Sequence, residues 1–299
     1  FPFVRDTAVS DGSLLAAWKY TDCRCLYYRQ DLIDAYAGGD PPRTWDELVA
    51  VGSEIADAEG IDGFQFRPAM STTIPFFWGQ GGQLIDQDGD VMLSASENRQ
   101  AMRRTLSFLR RLVEEGASPE RTIDITEYET LARNAREDEV AMFVGGSWQI
   151  EKDFKNRSEG DRWRRWKVAE IPMRKPNQYS TAVGGFAEGA FREGDSGGAA
   201  ALKEFVAKFV EPASMGRYCE AAGLLPTRRS VFNDDDLYSP DAFPYQERFQ
   251  QFLEHGRAPR PFPVYSDISD AFEAAIRAVV SGRSTPQAAT NAMVRQFEG

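Results

Sequence analysis

Histidine, the commonest general base in enzymes, is nearly absent from this chain. His255 is the only one in 299 residues, and it lies in the polar stretch LEHGRAP. This scarcity disfavours Ser-His-Asp and Cys-His catalysis unless His255 itself is the base. A lone histidine near a helix end is usually solvated or caps the helix, and we favour that interpretation.

The chain has three cysteines, so at least one thiol is unpaired. Cys23 and Cys25 flank Arg24 in a predicted strand, where alternate side chains share a face. Without nearby histidines or a second cluster they are poor metal ligands. We interpret them, and Cys219 on a predicted helix, as buried thiols. The redox compartment stays open, and the sequence predicts neither a metal nor a cofactor.

The segment EDEVAMFVGGSWQI at 137–150 ends a short apolar strand in two glycines and a tryptophan. One interpretation makes Trp148 a core anchor beneath a helix start. The other lets Gly145 and Gly146 bring a ligand close to the backbone, with the indole covering it. Tryptophans are largely buried in either case, so burial alone does not decide.

The bulk composition is that of a soluble globular protein, with 42% hydrophobic, 12% aromatic and 27% charged residues. A chain of 299 residues is too long for one ordinary core, which predicts two domains. The net charge of -11 disfavours nucleic acid as a partner. The first twelve residues, FPFVRDTAVSDG, are mixed and turn-like and do not have the pattern of a secretion leader.

Apolar periodicity and turn residues predict alternating strands and helices, which is typical of an α/β sheet covered by helices. Thr44 and Glu47 have the spacing of a capping box, and they predict a helix that ends near Gly60. Further helices are predicted at 96–116, 126–138, 197–223 with a break near Pro212, 245–256, 266–282 and 285–299. Strands are predicted at 13–29, 62–67, 139–146, 165–173 and 181–191.

The order of these segments resembles the extracellular solute-binding proteins of ABC importers, the family that includes maltose-binding protein. The stretch DGSLLAAWKYTDCRCLYYRQDLIDAY, followed by PPRTWDELVA, looks like the start of the second lobe. Further matches in the same order are FFWGQGGQLID, EDEVAMFVGGSWQI, VGGFAEGAF, AAGLLPTRRSV and the last two helices. No single motif is specific, but six in register over nearly the whole chain are a strong signal.

The resemblance implies a two-lobe, type II periplasmic-binding-protein-like α/β fold. Residues 1–20 and 185–262 would form part of lobe 1, and residues 21–184 and 263–299 would form lobe 2. Family members usually carry about a hundred further residues before the DG segment, so we expect lobe 1 to be incomplete here. Left by itself, this partial lobe would expose unpaired strand edges and an uncovered apolar face. A longer product or a second chain would supply the rest.

A sugar site needs aromatic plates for the C–H faces, and carboxylates, amides or arginines for the hydroxyls. The resemblance places Asp22 at the first crossover between lobes. Its carboxylate can accept two sugar hydroxyls, or it can pair with Arg24 on the same strand face. Both interpretations stay open.

The resemblance places Gly184, Gly185 and Phe186 at the second crossover, with the glycines as hinge or backbone donors and Phe186 as a plate. We interpret Trp148 provisionally as the main cleft-facing plate. The other candidate binding residues are Arg228 as a clamp, next to a solvent-facing Arg229, and two weaker aromatic candidates, Trp78 and Tyr265. Core packing explains Trp78 equally well.

The resemblance implies the substrate-binding component of an ABC importer, which binds a sugar or oligosaccharide between its lobes and delivers it unaltered to a membrane permease. A periplasmic or extracellular location follows, with a lipoprotein anchor as an alternative and the signal region outside this chain. Two other functions stay open: a carbohydrate-active hydrolase that uses two of the 46 acidic residues, and a ligand-sensing domain on the same fold.

Overall fold

The computed structural model describes residues 1–10, 12–189, 197–239, 243–259 and 262–298. The described strands are β1 Val9–Ser10, β2 Ser13–Leu14, β3 Ala17–Arg29, β4 Asp62–Gln65, β5 Val140–Gly146, β6 Trp166–Ala169, β7 Thr181–Glu188 and β8 Gly256–Arg257. The described α-helices are α1 Pro2–Ala8, α2 Gln30–Tyr36, α3 Trp45–Glu59, α4 Met70–Trp78, α5 Ser96–Glu114, α6 Tyr128–Arg136, α7 Gly197–Phe209, α8 Pro212–Ala222, α9 Arg229–Phe232, α10 Gln246–Glu254, α11 Tyr265–Val280 and α12 Pro286–Arg295. Short 3-10 turns lie at Glu120–Asp124 and Arg162–Arg165, and a π-helical turn lies at Ile150–Lys155.

The start of the chain differs from its prediction, because α1 replaces the expected turn-like segment. Pro2 is at the first helical position, where its missing N–H costs nothing. Phe3 is buried, and its ring packs edge-on against Trp18 at 5.7 Å between centroids. Burial of this side chain is a long-range effect that the local pattern does not contain. Positions 190, 191 and 299, to which the predicted elements extend, lie outside the described residues.

The central sheet is organised around β3, which is 13 residues long. Its second half pairs antiparallel with β5 and β6, and its first half pairs antiparallel with β7. The parallel neighbours β4 and β8 extend the sheet at its two ends, in the order β4-β5-β3-β7-β8. One strand therefore runs through both halves of the sheet, which are held by different partners.

The helix α3 shows how the sequence fixes one of the layers over the sheet. Thr44 accepts a hydrogen bond from the Glu47 backbone N–H at 3.2 Å, and the Glu47 carboxylate accepts from the Thr44 N–H at 3.0 Å. Gly60 ends the helix with a φ of 70°, a left-handed conformation that favours glycine. The predicted capping box and helix end are confirmed.

Buried side chains form two hydrophobic clusters. The first contains Leu26 and Tyr28 with side chains of α3, α4, α5, α11 and α12. The second contains Tyr27 and the cysteines Cys23 and Cys25, and it continues into the packing of α8 and α10. The division into lobes at 20/21, 184/185 and 262/263 stays a prediction, since the second cluster draws on both predicted lobes. None of the helices in the described ranges is long and apolar enough to cross a bilayer.

The three cysteines are free thiols and are buried, as predicted. Cys23 and Cys25 are fully buried on β3, and Cys219 is fully buried on α8. Burial disfavours the thiolate. It raises the pKa of Cys219 to about 12 and raises the pKa values of Cys23 and Cys25 well above their usual range.

Removal of the capping hydroxyl should destabilise the protein without changing its fold. We expect Thr44→Ala to lower the free energy of unfolding by about 1 kcal/mol, because the Glu47 N–H loses its acceptor. Thr44→Ser keeps the hydroxyl and should retain most of the stability. Urea denaturation of both variants measures the difference, and equal stability of Thr44→Ala and the parent chain would contradict the assignment.

Candidate functional site

One face of β3 carries polar and aromatic side chains where the strand passes between its two sets of partners. Tyr20, Asp22 and Arg24 alternate along this face. On the neighbouring strand β7, Gly184 is the register partner of Asp22, and Phe186 is the register partner of Tyr20. We call these five residues the crossover strip.

Asp22 and Arg24 form a buried ion pair at the centre of the strip. The Arg24 guanidinium donates from Nη1 to the Asp22 carboxylate, and the side chains are only 10% and 13% exposed for Arg24 and Asp22. Burial alone would lower the pKa of Arg24, but Tyr128 and Asp22 more than offset it, and the pKa lies above its usual value. The ion-pair interpretation of Asp22 is therefore realised. Hydroxyl binding remains open to the same carboxylate, because each carboxylate oxygen can accept more than one hydrogen bond.

Trp148 lies beside this ion pair and is half-buried. The Arg24 guanidinium carbon lies 4.8 Å from the centre of the indole, which is cation–π geometry. The ring of Tyr128 meets the indole edge-on at 5.0 Å, and its hydroxyl accepts from Arg24 Nε at 2.7 Å. Arg24, Tyr128 and Trp148 thus form one interlocked group, which we call the indole cluster.

The two glycines before Trp148 leave room for protein side chains. A Cβ added to Gly146 would lie 2.1 Å from an indole carbon of Trp148. One added to Gly145 would lie 2.5 Å from Gln149 Oε1, which accepts from the Gly146 N–H. The indole and the Gln149 amide therefore fill the space beside both glycines, and the approach of a ligand to this backbone stays a prediction.

The second crossover glycines are also packed tightly. A Cβ on Gly184 would lie 3.1 Å from Asp22 Oδ1. Gly185 has a φ of 139°, and a Cβ there would lie 2.3 Å from the Tyr20 carbonyl oxygen. Glycine is therefore required at position 185 both by the backbone conformation and by the close approach of β3.

Phe186 lies at the open end of the strip. Its side chain is 64% exposed, and its ring is 5.6 Å from that of Tyr20. The described ring contacts of Phe186 do not include Trp148, so the two predicted plates belong to different ends of the strip. Burial raises the pKa of Tyr20 to about 12, with smaller contributions from Tyr218 and Asp22.

Trp78 and Tyr265 meet at a cavity of about 180 Å³ that also touches Phe3 and Thr7 of α1. Trp78 is 7% exposed and packs within the first hydrophobic cluster, in line with the core interpretation. Burial raises the pKa of Tyr265 to about 12, and the charge of Arg24 acts on the Tyr265 hydroxyl in the opposite direction.

No described contact joins the Arg228 side chain to the strip, although the neighbouring Thr227 hydroxyl donates to the Trp18 carbonyl oxygen of β3 at 3.0 Å. Arg228 is exposed at the start of α9, where its carbonyl oxygen accepts from Val231 and Phe232. Its described contacts include none of the other predicted site residues. Arg229 forms an exposed ion pair with Glu254, consistent with its predicted solvent-facing role.

Three residues of the site were not predicted as functional: Tyr128, Arg67 and Ser71. Arg67 lies 4.2 Å from the Tyr128 ring centre, and its Nε is buried without a hydrogen-bond partner among the described residues. Ser71 shares a hydrogen bond with the Tyr128 hydroxyl at 3.2 Å. Arg67 and Ser71 lie four positions apart around the start of α4, and Tyr128 lies on α6, so no local spacing relates these residues to Arg24.

A second cavity, of about 670 Å³, lies between β6 and α10. Its wall includes Glu170, whose carboxylate lies 3.8 Å from His255 Nε2, and His255 stacks on Tyr179 at 4.8 Å. Burial raises the pKa of Glu170 to about 7, while the charge of Arg248 acts in the opposite direction. His255 caps the end of α10, so its predicted position at a helix end is confirmed.

Sequence comparisons relate the chain to bacterial solute-binding proteins. A family model described as a bacterial extracellular solute-binding protein matches residues 5–244. A probable ABC transporter-binding protein of Deinococcus radiodurans is 23% identical over 318 residues, which cover 99% of this chain and 71% of that protein.

Several solved structures share the fold. The maltose-bound MalE3 of T. maritima has a TM-score of 0.83 and 22% identity, with 100% of this chain and 75% of that chain covered. The sugar-binding protein MalE of Xanthomonas citri has a TM-score of 0.81 and 23% identity, with 99% of this chain and 73% of that chain covered. A ribitol complex of an ABC transporter solute-binding protein from Agrobacterium radiobacter K84 has a TM-score of 0.79 and 22% identity, with 99% of this chain and 74% of that chain covered. The predicted α/β fold of the type II periplasmic binding proteins is confirmed.

Removal of both partners of the Asp22–Arg24 pair should cost less than the two single removals added together. Arg24→Met leaves a buried carboxylate without its partner, and we expect a loss of about 3 kcal/mol in unfolding free energy. Asp22→Asn leaves the guanidinium without its counter-ion. The double variant should therefore lose less than the sum of the two single variants. Chemical denaturation of all three gives the coupling energy, and strictly additive losses would contradict a coupled pair.

Glu170 should make stability fall between about pH 4.5 and pH 7. Its pKa is raised in the folded state from 4.5 to about 7, so the folded chain binds a proton that the unfolded chain releases. Stability is therefore lost as the pH rises through this window and is constant above it. In Glu170→Gln that loss should be absent, so the stability of the variant relative to the parent chain should increase across the window. Urea denaturation at several pH values tests this, and parallel curves would contradict it.

Proposed function

The chain belongs to the family of bacterial extracellular solute-binding proteins, and from this premise we propose that it is the substrate-binding component of an ABC importer. Its ligand would be a sugar, an oligosaccharide or a related polyol. The D. radiodurans relative bears the name of an ABC transporter-binding protein, and the structures of similar fold include maltose and ribitol complexes.

The observation that carries this proposal is the ion pair of the crossover strip next to a half-buried indole. The described hydrogen bonds of Arg24 use Nε and Nη1, which leaves Nη2 for a ligand hydroxyl. Asp22 offers further acceptor positions beside it. The exposed part of Trp148 supplies an apolar surface for sugar C–H groups. Hydroxyl donors, acceptors and an aromatic surface thus lie within one group of contacts.

We propose that two lobes close over this strip, with the boundaries expected from the sequence. The pairing of β3 and β7 supports this division, because Thr21 is the register partner of Gly185 and Asp22 is the partner of Gly184. Both predicted crossings therefore occur at the same level of the sheet. A hinge there would bring residues from both sides onto a ligand, and closure would exclude water from it. A segment or second chain that completes lobe 1 stays a prediction.

The bound solute would leave unaltered and pass to a permease in the membrane. The family and the proteins of similar fold are binding proteins, which favours this role over that of a hydrolase. The family also implies a location in the periplasm or outside the cell. A lipoprotein anchor would keep the protein close to the permease.

A thermal-shift experiment tests the role of Trp148. We screen the chain against maltose, D-tagatose and ribitol, because a ligand that binds only the folded state raises the melting temperature. At a ligand concentration of about 100 times Kd the stabilisation is about 2.7 kcal/mol. Trp148→Ala should lose this shift while its circular dichroism spectrum and two-state unfolding are retained.

The matched control is Tyr179→Ala, which removes an aromatic side chain that is 46% exposed and stacks on His255 instead of the strip. It should keep the full ligand shift. A full shift in Trp148→Ala would reject the indole as a binding surface. Failure of every sugar and polyol to shift the parent chain would count against the proposed ligand class.

A further inference from the structure

A groove of about 600 Å³ lies on the outer surface of α5, away from the crossover strip. The start of α3 and the start of α12 form its other walls. Arg103, Arg104 and Arg111 line it from α5, and their spacing of one, seven and eight residues places them on one side of that helix. Arg174, from the segment after β6, adds a fourth guanidinium.

The positive charge in this groove is only partly neutralised. Arg111 is paired with Asp46 and with Glu115. Arg103 donates to the side-chain oxygen of Gln287, which is a neutral amide. Among the described residues, no carboxylate pairs with Arg103, Arg104 or Arg174. Three of the four arginines thus lack a described carboxylate partner, in a chain whose net charge is -11.

The floor of the groove contains a buried donor without an acceptor. Trp45 is 6% exposed and stacks on Phe108 with 4.3 Å between ring centres. Its indole Nε1 is buried and has no hydrogen-bond partner among the described groups. The stacked rings of Trp45 and Phe108 both line the groove and give it an aromatic floor.

The first turn of α12 adds a further favourable field. Thr285 and Pro286 at this helix start line the groove. Thr285 is the N-cap, and its hydroxyl accepts from the Ala288 N–H at 3.1 Å. The N-terminus of a helix carries partial positive charge and favours anions. The guanidinium groups and the helix start therefore both favour a ligand with negatively charged oxygens.

We propose that the α5 groove is a binding site for a small multivalent oxyanion, a phosphate ester or a polycarboxylate. Its volume lies within the range typical of small-molecule sites, of the order of 300–1,000 Å³. Arginine forks form paired, charge-assisted hydrogen bonds with phosphate and carboxylate alike. This site is independent of the proposed sugar site, since the two share no residue.

Isothermal titration with inorganic pyrophosphate and with citrate tests the proposal on the full chain. Titrations at about 150 mM NaCl, where the screening length is about 8 Å, suppress loose attraction to exposed charges. We expect saturable binding of at least one of the two anions at one site. The relative affinity of pyrophosphate and citrate identifies the phosphate or the carboxylate chemistry.

The variant Arg104→Ala/Arg174→Ala should weaken this binding by at least tenfold, because it removes the two guanidinium groups without described partners. Arg295→Ala is the matched control, because Arg295 is exposed at the far end of α12. It should bind like the parent chain.

Any of four results would overturn the proposal. The first is that neither anion binds at about 150 mM NaCl, a salt concentration that screens exposed charges beyond about 8 Å. The second is that the Arg104→Ala/Arg174→Ala variant binds as tightly as the parent chain. The third is that Arg295→Ala loses as much affinity as that variant. The fourth is that an acidic peptide of glutamates binds while both small anions do not, which would make the groove a protein-docking surface.

Discussion

The buried pair of Asp22 and Arg24 is the interaction on which the proposed site depends. A charge can remain in a buried position only when its counter-ion and its hydrogen-bond partners are fixed. Arg24 meets this condition through Asp22, the Tyr128 hydroxyl and the face of Trp148. The guanidinium therefore fixes the position of the indole, and the carboxylate fixes the position of the guanidinium.

The strand β3 carries this pair through the middle of the sheet. Its opposite face packs Cys23, Cys25 and Tyr27 into the second hydrophobic cluster, so the strand cannot slip without moving that packing. Gly185 allows β7 to approach β3 closely at the same level. The proposed hinge lies at this level of the sheet, where the two strands are close together.

The sequence predicted the elements with strong local signals. Thr44 and Glu47 define a helix start through contacts three residues apart, and the alternation at Cys23 and Cys25 defines a buried strand face. The indole cluster was only half predicted, because Tyr128 reaches Arg24 across 104 positions of the chain. No local period records such a contact. The packing of the Trp148 indole against Gly146 was likewise not predicted, since a spacing of two residues does not show how the following turn folds back.

The three free thiols have a consequence for the life of the folded chain outside the cytoplasm. Thiol oxidation and disulfide exchange proceed through the thiolate and need access to the sulfur. Cys23, Cys25 and Cys219 have neither, because all three are fully buried and have raised pKa values. Chemical damage in oxidising surroundings must therefore wait for the sheet to open. The three thiols should therefore be oxidised only as fast as the protein unfolds, and the rate of their oxidation would report the rate of unfolding.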